Sequence, residues 1–424
     1  MTPTAQSDRS SLLANFSALA GGHALGLVVP LLTVPYLARV LRPEGWAPVL
    51  VAQALAAWLL LLLDYGFDLS ATRAIAQARG SLRDISEIVW SVQYAKLLLA
   101  PVAIVLMVIA YALIPALQDA HRLMLWTVLF GLVRGLNPLW FFQGMEQMRG
   151  AVLTDTAAKV LGALSVFVFV RAPGDGWKVL ALQALFAGLA CAVLTLRLVR
   201  LAPATPWSIA TAIAELRRSW PLFVFRASGT LYMQANTIIL SVSSTALAVA
   251  AYGGAERIVR AAINLLEPMT RLFLPHISFL ASSNPRAAAR LISRCLLVLG
   301  VGSAFAGAMI SFGAPWLVQL LLGHGYEAAV PVLRWLALLL PVVTLATVLG
   351  AFWALPHKRD KLVLGATLVA GVTNLALAAL LVPRIDAMGM TIAVVSAESI
   401  VATTLALAYV RWRREAPAES VVVS

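Results

Sequence analysis

Long apolar stretches, separated by short polar joints, follow one another along almost the whole chain. A membrane-spanning α-helix needs about 20 mostly apolar residues, whereas the strands of a membrane β-barrel are about 10 residues long and alternate in polarity. The stretches have the helical length and lack the alternation. They predict an all-α integral membrane protein with spans near 11–40, 46–70, 86–114, 121–143, 150–170, 177–200, 217–243, 247–281, 290–312, 328–355, 360–382 and 388–410.

The basic residues in the joints predict the orientation of these twelve spans. Lys and Arg are about three times as frequent in joints on the side of the N-terminus as in those on the other side, and such an excess marks the cytoplasmic face. Because the number of spans is even, we expect both termini in the cytoplasm.

The longest joint, residues 201–216, divides the spans into six and six. A weak internal similarity relates the aromatic residues 140–142 to residues 352–353, each before a basic joint and a further span. We therefore predict a six-helix bundle at 1–200, a cytoplasmic linker at 201–216, a second bundle at 217–412 and a cytoplasmic tail at 413–424. Two such bundles are typical of alternating-access transporters, although any chain with an even number of spans divides in half.

Composition supports the membrane class and excludes several functions. Hydrophobic residues make up 61% of the chain, charged residues 12%, and mean hydropathy is +0.88. The net charge of +13 comes mainly from the joints, so nucleic acid is not an expected partner. The sequence lacks a phosphate-binding loop of the Gly-x-x-x-x-Gly-Lys type and any metal-ligand spacing, and its joints are too short for a catalytic domain. We expect a non-enzyme without a bound cofactor.

Charged residues inside the apolar stretches are the candidates for function. Each costs about 2.5–3.5 kcal/mol at the centre of a span unless it faces protein or water. Arg134 and Arg226 have no acidic residue within their own spans, so each needs an acid on another span or an external anion. Lys96 and Arg334 lie nearer span ends, where we expect their long side chains to reach the interface. The complete set of cations within spans is Lys96, Arg134, Lys159, Arg226, Arg257, Arg260, Arg271 and Arg334.

The predicted eighth span carries the densest group of polar residues. At helical spacing one stripe contains Glu256, Arg260, Asn264, Glu267 and Arg271, with Arg257 beside it. Two interpretations stay open: pairs at i,i+4 that neutralise each other, or a wet cavity that holds an anionic substrate.

The carboxylates inside the predicted spans also allow two interpretations, structural pairing with a cation or a role in transport. Asp155 and Lys159 have i,i+4 spacing, which predicts a pair. Asp64, Asp68 and Glu398 could either couple transport to protons or pair with nearby cations. Glycines four residues apart, at 131 and 135 and at 22 and 26, predict close helix packing.

Four ordered blocks resemble Wzx-type polysaccharide flippases. The blocks are PLLTVPYLARVLRPEGW at 30–46, DYGFDLSATR at 64–73, WFFQGME at 140–146 and YGGAERIVRA at 252–261. In that family Asn is common in place of Asp68.

The resemblance implies the MATE-like fold of the multidrug/oligosaccharidyl-lipid/polysaccharide exporter superfamily. It implies translocation of an undecaprenyl-diphosphate-linked oligosaccharide across the bacterial inner membrane, for O-antigen or exopolysaccharide biosynthesis. Related lipid II flippases have a similar Ala-Asp/Glu-Arg motif in span eight whose arginine is thought to engage the diphosphate, and this role falls on Arg257. The glycan polymerase machinery is an expected partner, and a proton or sodium gradient is a possible energy source.

Three alternatives compete with the glycan flippase. A MATE-type multidrug or cation antiporter usually has a coupling carboxylate in span one or seven, and the predicted spans 11–40 and 217–243 contain no Asp or Glu. A lipid II flippase is expected to have fourteen spans, whereas twelve are predicted for this chain. A membrane glycosyltransferase or polymerase usually needs a larger outer loop.

Overall fold

The protein is almost entirely helical. The computed structural model describes residues 4–118 and 120–415, with the side chains of 4–28, 30, 31, 116, 225, 228–234, 267, 268, 271 and 415 outside that description. Helices account for most of the described residues, and the described ranges contain no β-strand. The predicted all-α class is confirmed.

The chain forms two compact units, residues 1–242 and 243–424. Short 3₁₀ turns at Pro115–Leu117 and Pro173–Asp175 separate consecutive helices of the first unit. Its helices are α1 (Thr4–Asp64), α2 (Phe67–Ala78), α3 (Leu82–Leu113), α4 (His121–Leu136), α5 (Leu139–Gly144), α6 (Met148–Phe169), α7 (Gly176–Leu201) and α8 (Ile209–Ser243).

The second unit has shorter helices followed by one long one. A π-helix at Val348–Ala354 lies between its last two α-helices. The α-helices are α9 (Ala246–Ile263), α10 (Leu266–Ser283), α11 (Pro285–Phe312), α12 (Ala314–Leu321), α13 (Ala329–Leu336), α14 (Leu339–Thr347) and α15 (Asp360–Glu415). The division of the chain into 1–200, 201–216, 217–412 and 413–424 stays a prediction, and residues 416–424 of the tail lie outside the described residues.

Two helices contain sharp breaks at the joints that the sequence predicts. At 1.5 Å per residue α1 would be about 90 Å long, roughly three times the hydrocarbon thickness. Its backbone is non-helical at Arg42 (φ 57°), where the following Pro43 disfavours helical geometry. A second break in α15, at Ile385 and Asp386, comes just after Pro383. Each long helix is therefore two segments.

Much of the helix surface is apolar and exposed. On α3 the exposed fractions of Val102, Val105 and Val108 are 50%, 57% and 60%. Eight helical stretches among the described residues are long and apolar enough to cross a membrane. Surface of this kind is stable in contact with lipid tails, so the chain is a polytopic membrane protein.

Small residues bring α4 onto α1. A Cβ atom at Gly131 would lie 2.8 Å from Leu59, and one at Gly135 would lie 2.5 Å from Leu63. Both contacts recur at four-residue spacing, which confirms the packing role predicted for this glycine pair. The side chains of the other pair, at 22 and 26, lie outside the described residues.

Candidate functional site

The close approach of α4 and α1 creates a buried ion pair. Lys96 on α3 is completely buried, and its Nζ lies 3.3 Å from Asp64 Oδ1 at the end of α1. The same Nζ donates a hydrogen bond of 2.6 Å to the carbonyl oxygen of Gly135. The prediction that Lys96 reaches the interface is wrong, because an acid and a carbonyl on two neighbouring helices satisfy its charge inside the protein.

Next to this pair, one carboxylate serves two cations. Asp155 on α6 accepts a hydrogen bond of 2.5 Å from Arg134 Nη1 on α4 and lies 2.8 Å from Lys159 Nζ. Asn137 Nδ2 lies 3.4 Å from Asp155 Oδ1, the oxygen that also binds Arg134. The predicted pairing of Asp155 with Lys159 is confirmed. Arg134 takes its acid from another helix, which was one of the two outcomes expected for it.

We call these groups the shared-carboxylate cluster: Asp64, Lys96, Arg134, Asp155 and Lys159. Three cations face two carboxylates, so the cluster carries one excess positive charge. Asp155 is 5% exposed, Arg134 21% and Lys159 55%. Lys159 and, in part, Arg134 are thus accessible from outside the cluster, while the Asp155 carboxylate that binds both of them is buried.

A further inter-helix ion pair joins Arg226 on α8 to Asp68 on α2. The turn before α2 is shaped for this contact. Gly66 has φ +78°, and a Cβ atom there would come within 2.9 Å of Leu222. Tyr65 stacks on Phe223 with ring centroids 4.4 Å apart. Arg226 therefore finds its acid on another helix, and α8 packs tightly on the turn before α2 through Leu222 and Phe223.

On α9, Arg260 binds Glu256 through Nε at 3.0 Å and Nη2 at 2.6 Å, the i,i+4 pairing that was one of the two interpretations left open for this helix. Glu398 on α15 also attracts Arg260 electrostatically. Arg257 is half-buried beside them and interacts with Glu256. Two arginines and two carboxylates thus meet within the second unit.

The predicted continuous stripe on span eight needs correction. α9 ends at Ile263 and α10 begins at Leu266, so Asn264 lies in the turn between them. Proline at 268 cannot donate to the carbonyl of residue 264, which weakens the helix at this point. The side chains of Glu267 and Arg271 lie outside the described residues. Arg334 is exposed on α13.

Sequence analysis missed one polar neighbour of the shared-carboxylate cluster, Asn137, which contacts Asp155. Its signal was present, since Asn137 precedes Pro138 at the junction of α4 and α5, where a helix end releases backbone groups. The side chain also accepts a hydrogen bond of 3.0 Å from the Leu139 amide. Asn137 thus fixes the helix end that presents Arg134.

Comparison with known proteins places the chain in a family. The family model described as "Polysaccharide biosynthesis protein" matches residues 12–280, more than half of the chain. The chain belongs to the polysaccharide biosynthesis protein family. The matched residues include the three inter-helix ion pairs described above for the first unit and the Glu256–Arg260 pair, whereas Arg334 and Glu398 lie beyond the matched range.

Two curated relatives match nearly the whole chain. A protein of Escherichia coli (strain K12) named "Putative O-antigen transporter" is 28% identical over 412 residues, covering 95% of this chain and 98% of the relative. A protein of Shigella dysenteriae with the same name is 27% identical over 386 residues, covering 89% and 95%.

Two solved structures have a fold similar to that of this chain. The lipid II flippase MurJ in an inward closed conformation matches with a TM-score of 0.59 and 12% identity, covering 85% of this chain and 86% of MurJ. An outward-facing multidrug resistance MATE family transporter matches with a TM-score of 0.56 and 17% identity, covering 96% of each chain. The predicted MATE-like fold is therefore confirmed.

Proposed function

We propose that the protein is a flippase for an undecaprenyl-diphosphate-linked oligosaccharide in surface polysaccharide biosynthesis. Membership of the polysaccharide biosynthesis protein family and full-length similarity to two O-antigen transporters support this cargo class. The observation that carries the proposal is the excess positive charge of the shared-carboxylate cluster, inside helices that are otherwise apolar. The chain works as a transporter and not as an enzyme.

The cargo explains why such charge is retained. The polyprenyl tail can stay in lipid during transfer, but the diphosphate and sugars must cross the hydrocarbon region. Guanidinium and ammonium groups replace water around the diphosphate and lower that barrier. Alternating access then exposes the bound head to each leaflet in turn.

We assign diphosphate contact to the accessible cations of both units. Lys159 and Arg134 share one carboxylate, so an incoming anion neutralises charge that Asp155 leaves uncompensated. Arg257 and Arg260 lie within the reach of Glu256, and the cargo competes with that carboxylate for them. The full proposed set is Arg134, Lys159, Arg226, Arg257 and Arg260.

The carboxylates have the complementary role of holding these cations when cargo is absent. Each proposed cation has an acid that it can rejoin after release, so the diphosphate is not retained permanently. Protonation of such an acid would also couple transport to a proton gradient. The proposed pairing or coupling groups are Asp64, Asp68, Glu256, Glu267 and Glu398.

We also propose twelve spans with both termini in the cytoplasm of a bacterial inner membrane. Division of α1 at Arg42 and of α15 at Ile385, with α9 and α10 taken as one span, is compatible with this number. Reporter fusions of alkaline phosphatase at residues 42 and 385 should be active, and fusions at 80 and 284 should be inactive. The reverse pattern would refute the orientation.

No metal or organic cofactor enters this scheme. A proton gradient, a sodium gradient or consumption of the cargo outside could drive transport, and the glycan polymerase machinery is the proposed consumer. Flipping in proteoliposomes with an imposed proton or sodium gradient distinguishes these sources, because only the coupled ion accelerates it.

The direct test is export in the native host. With the chromosomal gene replaced by Arg257→Ala or Arg260→Ala, we expect surface glycan to be lost and lipid-linked repeat units to accumulate. Immunoblots of membranes should show normal protein. The matched control is Arg334→Ala, because Arg334 is exposed on α13 and outside the proposed set. Normal surface glycan in both variants would exclude these arginines from the cargo site.

A MATE-type cation exporter remains the alternative from the same fold. Its cargo is positive, and the excess positive charge of the shared-carboxylate cluster opposes it. Ethidium efflux by the wild-type protein, without any loss of surface glycan on deletion of the gene, would favour the exporter. If the protein were instead a membrane glycosyltransferase, it would consume a sugar donor. Deletion of the gene would then stop the synthesis of repeat units, and lipid-linked units would not accumulate.

A further inference from the structure

A cavity of about 450 Å³ opens between the start of α6 and the end of α7 in the first unit. Its lining contains three arginines from two helices. We call it the arginine cavity, lined by Phe142, Arg149, Gly150, Ala151, Arg197 and Arg200 among others.

The arginines of the arginine cavity reach it from two helices. A Cβ atom at Gly150 would lie 3.2 Å from Arg197 Nη1, so Arg197 extends over the first turn of α6. Arg200 follows Arg197 at i,i+3 and shares its helix face. Among the residues that the structure describes, no carboxylate forms an ion pair with these three arginines. Three like charges thus share a small volume.

The surroundings of the arginine cavity are apolar. Phe142 and Ala151 are buried at 4% and 2% exposure. One helical turn further along, Leu153 on α6 and Leu196 on α7 are 53% and 63% exposed, on surfaces suited to lipid tails. A ligand here has an anionic part beside the arginines and an apolar part along the helices.

We propose that the arginine cavity binds the phosphate group of an anionic lipid headgroup. Guanidinium groups bind phosphate oxygens through paired, charge-assisted hydrogen bonds, and three of them suit one phosphate better than any neutral headgroup. The first turn of α6 adds compatible backbone amides, since it contains no acidic residue and has no side-chain cap. This site is separate from the cargo cations assigned above.

Topology alone does not produce this arrangement. Basic residues are frequent in cytoplasmic joints, but that preference requires no convergence on a cavity. α11 provides the comparison, because Arg286, Arg290 and Arg294 are exposed like the cavity arginines but follow one another at four-residue spacing on a single helix, whereas the cavity arginines come from two helices.

The test uses purified full-length protein in a neutral detergent. Calorimetry measures the binding of dioctanoyl phosphatidylglycerol, dioctanoyl phosphatidylcholine and inorganic diphosphate. The triple variant R149Q/R197Q/R200Q is compared with wild type and with R286Q/R290Q/R294Q, which removes the same charge from α11. We expect phosphatidylglycerol to bind wild type and the α11 variant equally, and the cavity variant at least about tenfold more weakly, since each basic residue near an anionic lipid contributes about fivefold.

Each result decides the proposal. Equal phosphatidylglycerol affinity in the cavity variant and wild type, or the same loss in both triple variants, would overturn it. Equal binding of phosphatidylcholine, whose choline balances the charge of its phosphate, would show that the cavity does not select an anionic headgroup and would also overturn the proposal. Binding of diphosphate without phosphatidylglycerol would refute the lipid assignment in favour of a free anion. If the triple variant does not fold, R149Q and R200Q replace it, each with an expected loss of several-fold.

Discussion

Gly135 on α4 lies directly against Leu63 on α1, so that a Cβ atom at residue 135 would come within 2.5 Å of the Leu63 side chain. This contact sets the position of the neighbouring Asp64 and of the Gly135 carbonyl oxygen, and both bind Lys96 Nζ. Helix packing and charge burial are therefore one feature of the first unit. A small residue makes room for an ion pair.

Gly135→Ala should destabilise the protein through overpacking, by about 1–3 kcal/mol. The added methyl group forces α4 away from Leu63 and lengthens the Lys96 hydrogen bond. Thermal unfolding of purified protein in detergent measures the effect as a lower midpoint. Gly371→Ala on α15 is the control, because no atom lies within 4 Å of a Cβ there. Equal midpoints for both variants would contradict the close packing.

Lys96→Met should cost more than removal of the whole ion pair. The single variant leaves Asp64 without its cation and the Gly135 carbonyl without its donor, and breaking one side of a buried pair costs about 3–5 kcal/mol. The double variant Asp64→Asn/Lys96→Met leaves no unpaired charge and should recover part of the loss. A double-mutant cycle on unfolding midpoints measures this coupling. Strict additivity of the two substitutions would mean that the pair does not interact.

Asp155→Asn removes the one carboxylate that Arg134 and Lys159 share. The two cations then repel each other at short range, and we expect a loss of stability and a reduced amount of protein in the membrane. Adding Lys159→Met should restore the amount, because a single cation remains and Asn137 is still beside it. Membrane immunoblots provide the measurement. No recovery in the double variant would show that Asp155 acts by some route other than charge.

How much of this was foreseeable depends on whether the interaction was local. Asp155 and Lys159 are a pair on one helix, so residue spacing predicts them, and spacing also offered the Glu256–Arg260 pair as one of two interpretations. Arg134 with Asp155 and Arg226 with Asp68 join different helices, and sequence could say only that each arginine needed an acid or an anion. Lys96 was misjudged because its distance from the span end was known, whereas the approach of two neighbouring helices was not.

Breaks in helices were likewise predictable where their cause is local. Proline and polar residues at 43 and 383 marked the joints of α1 and α15, since their effect on the backbone is local. The predicted stripe of span eight assumed continuous helical register, and the turn at Asn264 interrupts it. The arginine cavity was out of reach as well, because α6 and α7 are separated by a joint and nothing in the sequence shows that their ends meet.

The linker after α7 is attached to α3 by two aromatic side chains, which leads to a prediction about its mobility. Trp90 Nε1 donates a hydrogen bond of 3.1 Å to the Ala202 carbonyl oxygen, and Tyr94 donates one to Thr205. Trp90→Phe keeps an aromatic ring but removes the donor, so residues 202–208 should become more accessible to protease. Trp335→Phe, at a half-exposed tryptophan of α13, is the control. Limited proteolysis of inside-out vesicles should show faster cleavage in the first variant alone, and equal rates would mean that the hydrogen bond does not restrain the linker.

The Arg226–Asp68 pair predicts an effect on transport that charge reversal can isolate. Arg226→Asp places two carboxylates together, and we expect loss of surface glycan and of stability, because the like charges repel where α8 packs on α2. Asp68→Arg combined with Arg226→Asp restores opposite charges and should recover protein stability. If Arg226 also contacts the diphosphate, the reversed pair places that cation on the wrong helix, so export should stay low although the protein is stable. Surface glycan staining together with membrane immunoblots separates the two effects. Full recovery of export would assign the pair a structural role and remove Arg226 from the proposed cargo site.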